Sequence, residues 1–162
     1  MSSIIKVDQI QLADGSTPTA GDLGLNTTGS VLQVIQDRSS TQITNTSNGV
    51  NFDIGLSVTL TPSSTSNKIL LFTDVSVRLN GPNGMGIAIF RDSTNIFQST
   101  QDYDLYNDSG PCRFRGNWSY LDSPSSASSI TYTVYGRSYE VGGTIYVNNS
   151  GQSMFTVMEI AG

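Results

Sequence analysis

Lys68-Ile69-Leu70-Leu71-Phe72-Thr73-Asp74-Val75-Ser76-Val77-Arg78-Leu79 is the stretch of sequence that decides the fold. Its second half alternates apolar and polar residues with a period of two, which is the pattern of a β-strand with one buried face. Its first half is apolar at successive positions, which predicts a strand that begins fully buried and ends half exposed. Asn80–Gly84 is a strong turn before a further run, Met85–Arg91, and the two runs together predict a β-hairpin.

Further strand-length runs, rich in β-branched and aromatic residues, occupy the rest of the chain and end at Gly, Pro, Asn or Ser clusters. They are Val31–Gln36, Leu56–Leu60, Ile96–Ser99, Gly116–Leu121, Ser129–Arg137, Thr144–Val147 and Met154–Ile160. Ser and Thr make up roughly a quarter of the sequence and compete with helical backbone hydrogen bonds, so helices are disfavoured. The sequence therefore predicts an all-β protein, an antiparallel, jelly-roll-like β-sandwich over residues 31–162.

The first thirty residues follow a different pattern. A short apolar segment precedes a turn-rich stretch, Ala13–Asp22, and is too short to form a core of its own. Its apolar residues therefore need another surface, and residues 1–30 are predicted to be an extended N-terminal docking segment. The predicted docking residues are Ile4, Ile5, Val7, Ile10 and Leu12.

Charge and hydropathy exclude several classes of partner. The net charge is −5, so no basic face is expected that would neutralise nucleic acid phosphates. No stretch approaches the roughly 18 apolar residues of a membrane span, and Met1–Leu12 lacks the features of a signal peptide. We expect synthesis in the cytoplasm without export by the usual route, and neither nucleic acid binding nor membrane insertion.

Cys112 is the one cysteine of the chain, so no disulfide within the chain can form. Stability must then come from the core or from other subunits, which favours an oligomer. Cys112 itself is interpreted as an inert structural residue. Arg113 and Arg115 follow it closely and leave a reactive thiol open as the alternative.

The chain contains no histidine, which removes histidine-based acid–base catalysis and the commonest transition-metal ligand. The prediction is a protein that is not an enzyme and uses no cofactor. Asp102, Asp104 and Asp108 leave carboxylate-based glycoside hydrolysis open, although a solvated acidic loop explains them better. With Asn107 they could bind Ca²⁺, but the glycine and terminal glutamate of an EF-hand are missing, so no metal is predicted.

The longest predicted loop, Gln101–Pro111, interleaves aromatic rings with polar groups. Flat aromatic faces suit the C–H side of a sugar ring, while carboxylates and amides bind its hydroxyls. The loop is therefore the candidate receptor or glycan site, and its candidate residues are Asp102, Tyr103, Asp104, Tyr106 and Asn107. Trp118 and Tyr120 follow on a strand, where a core position is favoured over a role in sugar binding.

Several segments resemble small tail-fibre and fibre-like virion proteins of tailed phages of marine bacteria and cyanobacteria. The similar segments are Ile5–Ile10, Ala13–Leu25, Gly29–Val34, Ser57–Ser64, Leu121–Pro124, Gly143–Asn148 and Thr156–Ile160. The resemblance implies a homotrimeric knob at the virion surface, docked by its leader to another virion protein of tail or capsid. Met85–Cys112 is the least similar part, so the resemblance assigns no receptor-binding residue.

Two structural roles compete on this basis. The first is a short fibre or knob that contributes to host-surface attachment, with a host surface glycan as the receptor. The second is a capsid decoration protein, a cement or head fibre, without a receptor. A depolymerase tailspike usually has a far longer β-helix than 162 residues allow, and a free-standing lectin would not explain the apolar leader.

Overall fold

A computed structural model describes residues 9–19, 21–24, 27–100, 103–139 and 142–162. These residues form eleven strands and no helix, and so include no apolar helix of membrane-spanning length. The strands are β1 (Val31–Ser39), β2 (Ile43–Asn45), β3 (Asn51–Leu60), β4 (Lys68–Asn80), β5 (Asn83–Arg91), β6 (Thr94–Gln98), β7 (Leu105–Asn107), β8 (Cys112–Asp122), β9 (Ile130–Ser138), β10 (Thr144–Val147) and β11 (Ser153–Ile160).

The strands form two antiparallel sheets. In the first sheet β4 pairs along its length with β8 on one side. On its other side, β11 and then β1 extend from the first part of β4, while β10 and then β2 extend from its last residues. The second sheet has the order β3-β9-β5, and both β6 and β7 pair with the free side of β5.

The two sheets pack face to face over one apolar core, so the predicted antiparallel β-sandwich is confirmed. On most strands every second residue is buried, as in β9 and β11, where buried and partly exposed residues alternate along the whole strand. The largest buried side chains of the core are Ile54, Leu56, Ile69, Leu71, Leu79, Met85, Ile87, Ile89, Tyr132, Ile145 and Phe155.

A buried polar group links the two sheets. Asp122 ends β8 in the first sheet and is only 6% exposed. Arg91 of β5 forms an ion pair with its carboxylate at 2.9 Å, and the Tyr132 hydroxyl of β9 donates to the same oxygen at 2.7 Å. Burial, followed by the hydrogen bond to Asp122, raises the pKa of Tyr132 above its ordinary value. The carboxylate is thus satisfied from the opposite sheet.

A second buried carboxylate, Glu159 of β11, holds the turn that follows β3. It accepts hydrogen bonds from Gln33 at 2.6 Å, from the Ser63 backbone at 2.7 Å and from the Ser63 hydroxyl at 2.8 Å, and Asn67 adds another. Burial raises the pKa of Glu159, but the hydrogen bonds from Asn67, Gln33 and Ser63 together outweigh it and leave that pKa below its ordinary value.

The predicted hairpin between β4 and β5 is wrong, because the two strands belong to different sheets. Both sides of β4 are already occupied, by β8 on one and by β10 and β11 on the other, so no free edge remains for β5. The turn between Asn80 and Asn83 instead carries the chain across the sandwich, and Gly81 takes the positive φ of 91° that this turn requires.

The predicted full burial of the start of β4 is also wrong. Ile69 and Leu71 face the core with no exposed surface, but Leu70 and Phe72 lie on the outer face of the first sheet. Phe72 is 42% exposed there. The described part of the chain supplies no further layer over this face.

Two short strands were not predicted, β2 and β7. Each has three residues, which is too few to show a period of two. β7 lies inside the stretch predicted to be the longest loop, and its pairing with β5 gives that stretch a fixed position. The loop prediction is therefore wrong for Leu105–Asn107.

The described part of the N-terminal segment contains turns, as predicted. It joins the sandwich beside the end of β11, where the Gly29 amide donates to the Ala161 carbonyl at 2.8 Å and the Ala161 amide donates to Ser30 at 2.9 Å. Of the predicted docking residues, Ile10 and Leu12 are 50% and 37% exposed. Ile4, Ile5 and Val7 lie outside the described residues, and docking by this segment stays a prediction.

Candidate functional site: the tyrosine cluster

Three tyrosine rings meet at one end of the second sheet. Tyr103 lies 5.1 Å from Tyr106 and 4.6 Å from Tyr139, measured between ring centroids, and Tyr106 lies 5.9 Å from Tyr139. Both contacts of Tyr139 are edge-on, the geometry that the ring quadrupole favours. We call Tyr103, Tyr106 and Tyr139 the tyrosine cluster.

Strand β7 positions two of these rings. Leu105 points inward and packs against the core, so its neighbour Tyr106 points outward. Tyr106 pairs with Gly84 of β5, and the Asp104 amide donates to the Met85 carbonyl at 3.2 Å. These backbone hydrogen bonds fix the chain on both sides of the ring.

Gly84 makes room for Tyr103. A Cβ atom at position 84 would lie 2.8 Å from the Tyr103 Cβ and 2.9 Å from its Cγ, closer than side-chain atoms pack. The Gly84 carbonyl also accepts a hydrogen bond from the Tyr139 amide at 3.0 Å. A single glycine therefore allows Tyr103 and Tyr139 to approach each other.

The sequence did not single out Tyr139, which follows the end of β9 and lies far along the chain from Tyr103. One sequence feature could have identified it. Tyr139 is a large aromatic residue directly after an alternating strand, at a position where the alternation no longer predicts a buried side chain. Only the pairing of β5 with both β7 and β9 brings it to the other two rings.

Asp104 acts within the protein. Its Oδ2 atom accepts hydrogen bonds from the Ser99 hydroxyl at 2.5 Å and from the Trp118 indole N–H. Trp118 lies on the inner side of β8 and packs with Tyr120 against the core, as the favoured interpretation predicted. Asp104 thus ties the start of β7 to the first sheet.

Asn107 also bonds within the protein, because its side-chain amide donates to the carbonyls of Gly81, Ser109 and Gly110. It closes the turn between β7 and β8 against the turn between β4 and β5. Asp102 lies outside the described residues. The structure therefore brings Tyr103 and Tyr106 together, and places Asp104 and Asn107 beneath and beside them as supports.

The cluster offers an aromatic surface with polar tips. Tyr106 is 45% exposed, and Tyr103 and Tyr139 are half-buried. Among the described residues no hydrogen-bond partner occupies the three phenol hydroxyls. Rings with free hydroxyls can stack on the apolar side of a sugar and hydrogen-bond its hydroxyls. In the described parts of the chain, no three Cys, Asp or Glu side chains converge as a metal site would require.

No protein-family model and no curated protein matches the sequence. Solved structures do match. The structure of infectious bursal disease virus Gx strain matches with a TM-score of 0.52 at 11% identity, over 80% of this chain and 32% of that chain. A mutant VP2 protein of infectious bursal disease virus, from derived T=1 particles, matches with a TM-score of 0.47 at 10% identity, over 80% of this chain and 36% of that chain.

The CBM22-1 xylan-binding domain of Xyn10C from Paenibacillus barcinonensis matches with a TM-score of 0.30 at 11% identity, over 83% of this chain and 97% of that chain. The chain spans about a third of the length of the two virus chains. The match with a TM-score above 0.5 shows a shared β-sandwich fold. It shows no more than the fold, because fold alone does not carry function. The chain thus shares its β-sandwich fold with part of a chain in the structure of infectious bursal disease virus Gx strain.

Proposed function

We propose that the chain is a structural protein of the virion surface, a homotrimeric short fibre or knob of a tailed phage. Its N-terminal segment docks on another virion protein, and its sandwich contributes to attachment to the host surface. The observation that carries this proposal is a row of apolar side chains that point outward from the first sheet.

The row crosses four strands in exact register. Val34 of β1 pairs with Met158 of β11, Met158 pairs with Leu70 of β4, and Leu70 pairs with Leu121 of β8. All four side chains point away from the core, and Val34 and Leu121 are 55% and 48% exposed. We call these four residues the apolar row. Phe72, the next outward-facing residue of β4 after Leu70, adjoins the row.

Contiguous apolar surface on a soluble domain marks an interaction site, whereas single exposed apolar residues need no explanation. Strands lie about 4.8 Å apart, so the row is roughly 15 Å wide. One line of four side chains of this width covers far less area than the roughly 800 Å² that each partner buries in a standard interface. The polar residues around the row must therefore form the rim of a larger contact.

A second copy of this chain is the proposed occupant. Identical chains associate mostly in closed symmetric oligomers. A trimer closes when one surface of each copy binds a different surface of the next copy and the third copy returns to the first. The apolar row reaches from one edge strand, β8, to the other, β1, so a neighbour can cover it from either edge. Subunit contact would also supply stability that a lone Cys112 cannot provide through a disulfide.

Docking on the particle is assigned to the N-terminal segment. Ile10 and Leu12 are exposed, and they precede the point where the chain joins the sandwich at Gly29. Exposed apolar side chains such as these two are suited to bind another protein. Removal of residues 2–26 should leave the sandwich folded and abolish incorporation into particles, and normal incorporation would contradict the docking role.

Attachment is assigned to the tyrosine cluster. Each ring that stacks on a sugar contributes on the order of 1 kcal/mol, so one site binds weakly and three copies on a trimer provide avidity. The test is the double variant Tyr103→Ala and Tyr106→Ala in otherwise intact particles, with adsorption to host cells as the readout. We expect adsorption to fall, and the same loss should follow from Tyr139→Ala.

The matched control is another aromatic pair, Phe90 and Tyr135, which lies on the second sheet with ring centroids 5.0 Å apart. Their double replacement by alanine should leave adsorption unchanged. If replacement of the tyrosine cluster also leaves adsorption unchanged while particles lacking the protein lose physical stability, the capsid decoration role is the correct one.

A further inference from the structure

The outer face of the first sheet is basic, so the expectation from the net charge of −5 that the chain has no basic face is wrong. Five of the seven basic residues that the structure describes occupy outward-facing positions of the alternating strands of this sheet. They are Arg38, Lys68, Arg78, Arg113 and Arg115. Asp74 is the only carboxylate that the described strands of the sheet place there, because Asp122 and Glu159 face inward and Asp37 accepts a hydrogen bond from Ser57 of the second sheet.

Two of these arginines lie directly opposite each other. Arg78 of β4 pairs with Arg113 of β8, and both side chains point outward because their neighbours on β4, Val77 and Leu79, are buried. Residues opposite each other on antiparallel strands have Cβ atoms about 4.5 to 5.5 Å apart, and like charges there are destabilising. We call Arg78 and Arg113 the arginine pair.

Among the residues that the structure describes, no carboxylate compensates the charge of the arginine pair. The Arg78 guanidinium lies over the Tyr146 ring at 5.3 Å, and Arg113 donates to the Asn149 side chain at 3.4 Å. Across the described residues neither forms an ion pair, whereas the neighbouring Arg115 binds Asp74 through two nitrogens. The charge of Arg115 is therefore neutralised and that of the pair is not.

The surroundings of the pair are held in place by the fold. Asn149 donates to Gln42 at 2.7 Å, which orients its oxygen toward Arg113. The turn after β10 packs tightly, since a Cβ atom at Gly151 would lie 2.5 Å from the Ser76 hydroxyl. Two guanidinium groups on a rigid sheet, flanked by amide and hydroxyl groups, suit a planar or tetrahedral anion that both can contact.

The pair lies at the same end of the sandwich as the tyrosine cluster. Arg78 precedes Gly81 by three residues, and the Gly81 carbonyl accepts a hydrogen bond from Asn107 of β7. Three residues of extended chain span roughly 10 Å, so Arg78 lies about that far from the turn that Asn107 holds. Neither the predicted glycan site nor the apolar row includes Arg78 or Arg113.

We infer that the arginine pair binds an anionic group, a carboxylate, a sulfate ester or a phosphate ester, and that the host-surface polymer is accordingly an acidic polysaccharide. The identity of the polymer rests on the proposed attachment function, whereas the anion site itself rests on the arginines alone. The chemistry is recognition only, and no bond is made or broken.

The first test is a titration of the isotope-labelled full chain with sodium sulfate, followed by nuclear magnetic resonance. We expect saturable shifts of the backbone amides around positions 78 and 113 at millimolar sulfate. The shifts should be lost in the double variant Arg78→Ser and Arg113→Ser and kept in Arg38→Ser, the control on the same face, whose guanidinium bonds to Gln36. Absence of saturable shifts in the unaltered chain would overturn the anion site.

The second test compares an acidic oligosaccharide with its carboxyl-reduced neutral counterpart. We expect the acidic form to bind more tightly, and the double arginine variant to lose about tenfold in affinity for it, equivalent to two weakened charge-assisted hydrogen bonds. Equal binding of both forms would overturn the acidic-polymer inference and leave the attachment function in place. Binding of neither form would contradict attachment through a glycan, and the sulfate titration would then decide the anion site by itself.

Discussion

Leu70 and Leu121 lie directly opposite each other on β4 and β8, with both side chains on the outer face of the first sheet. Leu121 is 48% exposed, although its strand buries other apolar side chains on the inner face. The same register continues through Met158 to Val34, so that four strands present apolar side chains in one line. A surface of this kind is stable in water when another protein covers it.

The buried carboxylate of Glu159 gives a prediction about stability. Replacing Glu159 by Gln keeps the shape but leaves donors such as the Ser63 amide and hydroxyl without the charged acceptor that they now share. We expect a loss of about 2 to 4 kcal/mol in the free energy of unfolding at neutral pH, measured by chemical denaturation. Asp108→Asn, an exposed carboxylate, is the control and should change stability little.

The pH dependence has a definite sign. The pKa of Glu159 is lower in the folded protein than its ordinary value of 4.5, so the unfolded chain binds a proton more readily. The stabilising contribution is therefore complete above about pH 4.5 to 5 and is lost as the pH falls through the folded pKa. The Glu159→Gln protein should lack that part of the acid destabilisation, and an unchanged pH profile would contradict the assignment.

Gly84 tests how the tyrosine cluster is held. Gly84→Ala places a methyl group against Tyr103, so either the ring or β7 must move. We expect a loss of about 1 to 3 kcal/mol in unfolding free energy, typical of an overpacked site, together with loss of sugar binding. Gly110→Ala is the matched control, because a Cβ atom there meets open space. Equal behaviour of the two variants in thermal unfolding and in binding would contradict the packing described for Tyr103.

Arg113 is expected to lower the stability of the folded protein, because it lies directly opposite Arg78. Arg113→Ser removes a like charge directly opposite Arg78, so the free energy of unfolding should stay the same or rise by up to about 1 kcal/mol at low salt. Arg115→Ser removes the ion pair with Asp74 and should have the opposite sign. A clear loss of stability in Arg113→Ser would indicate a structural role for this arginine and would weaken the argument for an anion site.

The sequence predicted most strands of the sandwich because alternation reports locally which residues share a face. It did not predict that Leu70 and Phe72 face outward. A strand with apolar residues on both faces has the same sequence pattern whether its second face is covered by the same chain or by another. It predicted a hairpin from the turn after Asn80, because sequence alone does not show that both edges of β4 are occupied by strands from later in the chain.

The candidate site was predicted in part for the same reason. Tyr103 and Tyr106 lie close together in the sequence and could be recognised as a pair. Tyr139 reaches them only through strand pairing between distant segments. Asp104 and Asn107 were predicted to face a ligand, and their hydrogen bonds to Trp118 and to nearby carbonyls are contacts that no spacing rule specifies.

Sedimentation of the purified full chain at micromolar concentration tests the central claim most directly, namely that the apolar row is a contact between copies. We predict a species of three times the 17.3 kDa of the single chain, and a monomer for the double variant Val34→Asp and Leu121→Asp, since association would bury two unpaired carboxylates. Val50→Asp, an exposed valine outside the row, should remain a trimer, and circular dichroism should show all three chains folded. A monomeric unaltered chain, or a double variant that stays trimeric, would contradict the account.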